Sequence, residues 1–237
     1  MRNTTTHAFT RIELLAVCTA LALLALVVAP ALATNKTDAE RIVCFNNLRQ
    51  IGRAVQMWAG DHNQQTPART LTTDGGLRPA IGVSRSALAW FEFGFLSNQL
   101  VTPKILACPS DAGVRRAPDF SFDGLLGPGY RNNAVSYVVG LEAVGDSPRS
   151  WLSGDRNLGG VNTSPSACSA GVNNASSIFT FPQLPLAWTN GAVHGEFGHI
   201  LLMDGSVEFT STPRLKTLLL TPQAGDNGTV HFLKAGF

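Results

Sequence analysis

Two sets of residues in this 237-residue chain are placed to do chemistry. The first lies near the C-terminus, where His194, Glu196, His199 and Asp204 fall in one short stretch. Imidazole and carboxylate groups are ordinary zinc ligands, and histidine also moves protons near neutral pH. A helical H-E-x-x-H site needs its histidines at i and i+4, so that both reach one ion from one face. Here the two histidines are five residues apart, with Gly195 and Gly198 between them and a strand-like run following. His194, His199 and Asp204 are kept as candidate ligands, but the spacing predicts no metal. It fits a histidine that orders a hairpin and an aspartate that serves its turn. Gly-x-Ser-x-Gly, Walker A and dinucleotide-binding fingerprints are missing, so no nucleophile or phosphate cradle is in view. We expect no enzyme activity and no cofactor.

The second set is at the other end. Glu13 opens an apolar run in which Leu14 to Ala33 has twenty residues without a charge, about the length that crosses a hydrocarbon core. An acid near the bilayer centre costs roughly 2.5–3.5 kcal/mol on insertion scales, so such a residue is ordinarily functional or paired. Two processing routes compete for this segment. Ala31-Leu32-Ala33 is an A-x-A site of the kind that ends a secretory signal peptide, and a cut there releases a soluble protein starting at Thr34. Yet the run exceeds the usual signal core of roughly 7–15 residues. Pro30 also suits a helix that bends or ends as it leaves a membrane. Arg2 and Arg11 precede the run while Lys36 and Arg41 follow it, so basic residues alone do not orient it. The short leader makes a cytoplasmic N-terminus the simpler choice.

The pattern Ala8-Phe9-Thr10-Arg11-Ile12-Glu13-Leu14-Leu15 joins a polar leader, a small residue before an aromatic, and an acid four positions on. It resembles the N-terminus of type IV prepilins and type II secretion pseudopilins. The resemblance implies that a prepilin peptidase cuts between Ala8 and Phe9 and that Phe9 becomes a methylated N-terminus. It implies that Glu13 pairs with the terminal amine of a neighbouring subunit during assembly. Amine and carboxylate lower each other's cost of burial in a low-dielectric bundle. Two positions depart from the usual pattern: Ala8 stands where glycine is common, and Arg11 where an apolar residue is common. Arg11 is close enough to the segment's end to snorkel to the headgroups.

The resemblance also implies a pilin-like α+β fold, with one long N-terminal helix packed on an antiparallel β-sheet with long loops. Its divisions are a leader (1–8), a transmembrane and assembly helix (9–33), an amphipathic helix (34–62) and a loop-rich β domain (63–237). The implied function is a structural subunit, of the minor kind, in a type II secretion pseudopilus or type IV pilus-like filament. The chain would cross the bacterial inner membrane once, with its C-terminal domain outside the cytoplasm. Its partners would be the prepilin peptidase and other pilin or pseudopilin subunits. The alternatives are a membrane-anchored binding module, for instance for polysaccharide, and a secreted protein cut after Ala33.

Beyond the apolar run, Thr37-Asp38-Ala39-Glu40 reads as a capping box. Cys44, Leu48, Ile51, Val55 and Trp58 then recur at alternating spacings of four and three, one apolar helix face. Asp61-His62-Asn63 and Pro67 end that helix. Four segments resemble, in order, recurrent segments of large pseudopilin-like proteins abundant in planctomycete and verrucomicrobial bacteria. They are Cys44 to Gly52, Cys108-Pro109-Ser110-Asp111, Gly154-Asp155-Arg156-Asn157, and His194 through Gly205. Cys18 lies in the apolar run, while Cys44, Cys108 and Cys168 allow three single pairings. The resemblance favours Cys44–Cys108, since both sit in recurrent segments. A CxxC spacing is absent, which argues against a zinc site built on cysteines.

Composition bounds the remainder. Charged residues are 14% of the chain, against about 25% in ordinary domains. A net charge of +2 gives no basic stripe, so nucleic acid is not an implied partner. Ala87 to Leu100 reads as core, Ala134 to Val139 as a strand, and Ser153 to Ser177 as a long surface loop. Gly198 to Met203, Asp204-Gly205, and Ser206 to Thr210 predict a hairpin with a type I′ turn, and Thr229 to Leu233 a further strand. A helix followed by antiparallel strands is an α+β pattern.

Overall fold

The computed structural model describes residues 10–78, 88–159, 178–181, 186–189, 193–220 and 230–233. The fold is α+β, and the chain divides into two compact units with the boundary between Glu40 and Arg41.

Helix α1 runs from Arg11 to Asp61. It starts at a capping box one position outside its first turn. Glu13 Oε2 accepts from Thr10 N at 2.8 Å and from Thr10 Oγ1 at 3.0 Å, and Glu13 N donates to Thr10 Oγ1 at 3.3 Å. The box expected at Thr37–Glu40 therefore starts nothing, because those residues lie inside a continuous helix. The large apolar side chains between Ile12 and Leu26 are exposed. Among the described residues no helix is long and apolar enough to cross a membrane. The expected span continues to Ala33, past Leu26, where the described side chains of this stretch stop.

In the second unit, Cys44, Leu48, Ile51 and Val55 form the buried stripe of α1. Trp58 is only half-buried, its ring stacked on His62 at 3.7 Å between centroids. The helix stops where Asn63 and Gln64 take positive φ angles, and Gln64 N and His62 N both donate to Ala59 O. Helices α2 (Ala89–Phe95) and α3 (Ser97–Leu100) follow, burying Ala89, Phe93 and Leu100.

The strands are β1 (Tyr137–Gly140), β2 (Trp151–Asp155), β3 (Leu158–Gly159), β4 (Ile178–Phe181), β5 (Ala187–Trp188), β6 (Phe197–Leu202), β7 (Val207–Ser211) and β8 (Val230–Leu233). Six form one antiparallel sheet in the order β4-β8-β1-β2-β6-β7, while β3 and β5 pair separately. Strand side chains alternate between faces. Tyr137, Leu152 and Leu201 join the α1 stripe in one cluster. Val138, Trp151, Ile200 and Leu202 join Trp188 and helix α4 (Thr212–Leu220) in another. Gly198 is needed where Trp188 crosses it, because a Cβ there would stand 2.5 Å from the indole ring.

Two expectations are corrected here. Ser153, Asp155, Arg156 and Asn157 are buried, in β2 and just after it, rather than in a surface loop; residues 160–177 lie outside the described set. The hairpin turn is not type I′, which would need positive φ at both central residues. Gly205 alone is left-handed, at φ +83°, and Gly205 N closes the turn on Leu202 O. Asp204 instead keeps ordinary backbone angles and its carboxylate accepts from Ser206 N at 2.8 Å.

Candidate functional site

The end of β2 faces β6, with Gly154 opposite Ile200 and, across β1, Asp155 opposite Tyr137. This register puts the Asp155 carboxylate beside His199. Asp155 Oδ2 accepts from His199 N at 2.7 Å and meets His199 Nδ1 at 2.9 Å. The His194 ring arrives from the turn before β6, with Nε2 3.7 Å from the same oxygen and 3.6 Å from Cys108 Sγ. The three side chains are sealed, at 0% exposed for Asp155, 2% for His194 and 3% for His199. The Phe45 and Phe209 rings flank His199, at centroid distances of 6.5 and 4.8 Å, and Arg41 lies over Phe209.

The next two residues of the chain lock the surroundings. Arg156 forks onto Asp111, with Nε to Oδ2 at 2.6 Å and Nη2 to Oδ1 at 2.7 Å, and both side chains are buried. A two-bond guanidinium–carboxylate fork fixes orientation as well as distance. Asn157 Nδ2 donates to Gly195 O and to Phe197 O, both at 2.8 Å, which pins the turn carrying His194. Ser136 joins the strands to the Cys108 loop, since its Oγ accepts from Cys108 N and its carbonyl from Arg156 N, each at 2.9 Å. Cys44 of α1 is disulfide-bonded to Cys108, with Cα atoms 5.3 Å apart. Burial, then the negative charges of Asp155 and Asp111, push the Tyr137 hydroxyl well above the usual tyrosine range, partly offset by its bond from Asn47.

The expected site residues fall in different places. Ala8, Phe9 and Cys168 lie outside the described residues. Glu13 sits in the capping box with Thr10, and Asp204 stays in the hairpin turn. His194 and His199 do come together, but through Asp155. Sequence reasoning gave no chemical role to Asp155, Asp111, Arg156 or Asn157. The available signal was their presence in the Cys-Pro-Ser-Asp and Gly-Asp-Arg-Asn segments of a chain otherwise poor in charge. All four recurrent segments contribute to this one cluster.

Among the described residues the two imidazoles and the carboxylate are closed off from solvent, and the sulfur beside His194, Cys108 Sγ, is tied up in the disulfide. The arrangement can join α1, the Cys108 loop, β2 and β6, and its two imidazoles and one carboxylate could hold a metal ion. Comparisons with protein-family models, with curated proteins and with solved structures give no match.

Proposed function

We propose that the chain is a pilin-like structural subunit of a type II secretion pseudopilus or type IV pilus-like filament. In this reading a prepilin peptidase cuts between Ala8 and Phe9, and the apolar half of α1 is held first in the inner membrane. It is held afterwards among the same helices of other subunits, with the α+β domain outside the cytoplasm. The carrying observation is the surface of α1 between Ile12 and Leu26. Ile12, Leu14, Leu15, Val17, Leu21, Leu23, Leu24 and Leu26 are all exposed, and at 3.6 residues per turn they point in every direction. A helix apolar all round requires lipid or several partner helices around it. The N-terminal motif and the uncharged run to Ala33 support the same reading.

Glu13 then has two duties, capping its own helix through Thr10 and pairing with the amine of a neighbouring Phe9. Two variants separate them. Thr10→Ala removes the cap hydroxyl and should leave filament incorporation intact, whereas Glu13→Gln keeps a capping acceptor, loses the charge, and should block incorporation. Mass spectrometry of protein from native membranes should find N-methylated Phe9 as the first residue. A first residue of Thr34 would make the chain a secreted protein, and an intact Met1 an anchored module; either result refutes the pilin reading.

A further inference from the structure

We propose that Asp155, His194 and His199 form a buried zinc site that fastens the turn before β6 to the end of β2. The donor set is two imidazoles and one carboxylate, a combination that suits zinc among the common divalent ions. Ligands on a tetrahedral zinc with bonds of about 2.0–2.1 Å stand about 3.4 Å apart. His199 Nδ1 and His194 Nε2 lie 2.9 and 3.7 Å from Asp155 Oδ2, on either side of that value, and one ligand atom from each residue lies within 4.8 Å of the others.

A second observation points independently to an ion. Asp155 is fully buried, yet its Oδ1 accepts no hydrogen bond. Such an oxygen is costly to desolvate, and the usual remedy is a bound ion or water. Two of the guanidinium nitrogens of the adjacent Arg156, Nε and Nη2, are bonded to Asp111. A divalent ion neutralises the Asp155 charge and can use Oδ1 as a further contact. Coordination requires that His199 carry its proton on Nε2 and His194 on Nδ1, leaving the Nδ1 lone pair of the first and the Nε2 lone pair of the second to the metal. Cys44 and Cys108 are not ligands, because both sulfurs are held in the disulfide. The buried position makes the site structural and ties loading of the metal to folding.

The test uses the full chain in detergent. Zinc is removed by unfolding in guanidinium with a chelator, the disulfide being left intact, and the protein is refolded with Zn2+, with Co2+, or with neither. Wild type should take up about one zinc per chain, melt at a higher temperature with zinc than without, and give the intense visible bands of tetrahedral cobalt. His194→Gln should weaken zinc binding by more than ~100-fold, beyond what losing an outer-shell partner does, and abolish the bands. His62→Gln should change neither. Wild type that takes up no zinc, or shows only the pale spectrum of hexaaqua cobalt, overturns the proposal. Equal zinc uptake by wild type and refolded His194→Gln overturns it too. Where the variant does not refold, the wild-type uptake and cobalt spectrum decide.

Discussion

The stretches Ile12–Leu26 and Cys44–Ala59 belong to one helix and meet opposite surroundings. In the first, Ile12 is 79% exposed and Leu26 73%; in the second, Leu48 is 0% exposed and Ile51 1%. Helix propensity does not separate them, since both are helical throughout. The pattern of apolar residues does. A single stripe, as in Cys44, Leu48, Ile51 and Val55, can be covered by one sheet. An apolar surface on every side cannot be covered by one contact and requires a surrounding medium of lipid or other helices. The same element thus packs into the core at one end and leaves its apolar side chains uncovered at the other.

The sharpest way to break this contrast is inside the second unit. Arg156→Ala leaves Asp111 buried with its charge unpaired, and should cost about 3–5 kcal/mol in denaturant unfolding. A loss under about 1 kcal/mol would mean that water reaches Asp111. Next, one substitution made at both ends of the helix compares them directly. Leu48→Ala should destabilise by about 2–5 kcal/mol through lost burial and a cavity. Leu15→Ala, read in the same detergent, should fall within about 0.5 kcal/mol of zero. Equal effects would show that the first stretch is covered by its own chain.

Smaller effects follow from local caps. Thr10→Ala should cost about 0.5–2 kcal/mol of helix stability at the N-terminus, visible as faster amide exchange over the first turn and not as a lower melting temperature of the α+β domain. The smallest change concerns Asp119, whose exposed carboxyl is held below its ordinary range by the Ser121 hydroxyl and then by Ser121 N. A depressed carboxylate gives stability above its unfolded pKa of about 3.9, and that contribution fades as pH falls through the lower folded value. Ser121→Ala should move the Asp119 titration upward in NMR and slightly lower stability at neutral pH, a difference that vanishes at pH below the folded-state Asp119 titration.

What could be read in advance follows from how local each signal is. The α1 stripe and the β6–β7 hairpin repeat at the periods of helix and strand, so they stand out in a linear sequence. The capping box was legible in kind but not in place. Thr37-Asp38-Ala39-Glu40 and Thr10-Arg11-Ile12-Glu13 share the T-x-x-E form, and only the continuity of the helix selects the second. The cluster at Asp155 was not legible, because its members are far apart in sequence and Gly-Asp-Arg-Asn has the composition of an exposed turn. Burial of Asp155 and Arg156 depends on partners 45 residues away in each case or nearly so: Arg156 lies 45 positions from Asp111, and Asp155 44 from His199. No window-based pattern sees such a pairing.

The Cys44–Cys108 bond also has a mechanical meaning. Cys44 opens the buried stripe of α1, and its disulfide reaches a loop 64 positions along the chain. Tension applied to the two ends of the protein passes from Cys44 straight across the sulfur bridge to Cys108. Residues 45–107 are left out of the load path and stay unstretched while the bond holds. Pulled in an optical trap, the oxidised protein should extend by a shorter contour than the reduced one, the difference being that shielded segment. A pull on the chain before Cys44 would thus travel through a covalent shortcut that spares the rest of α1.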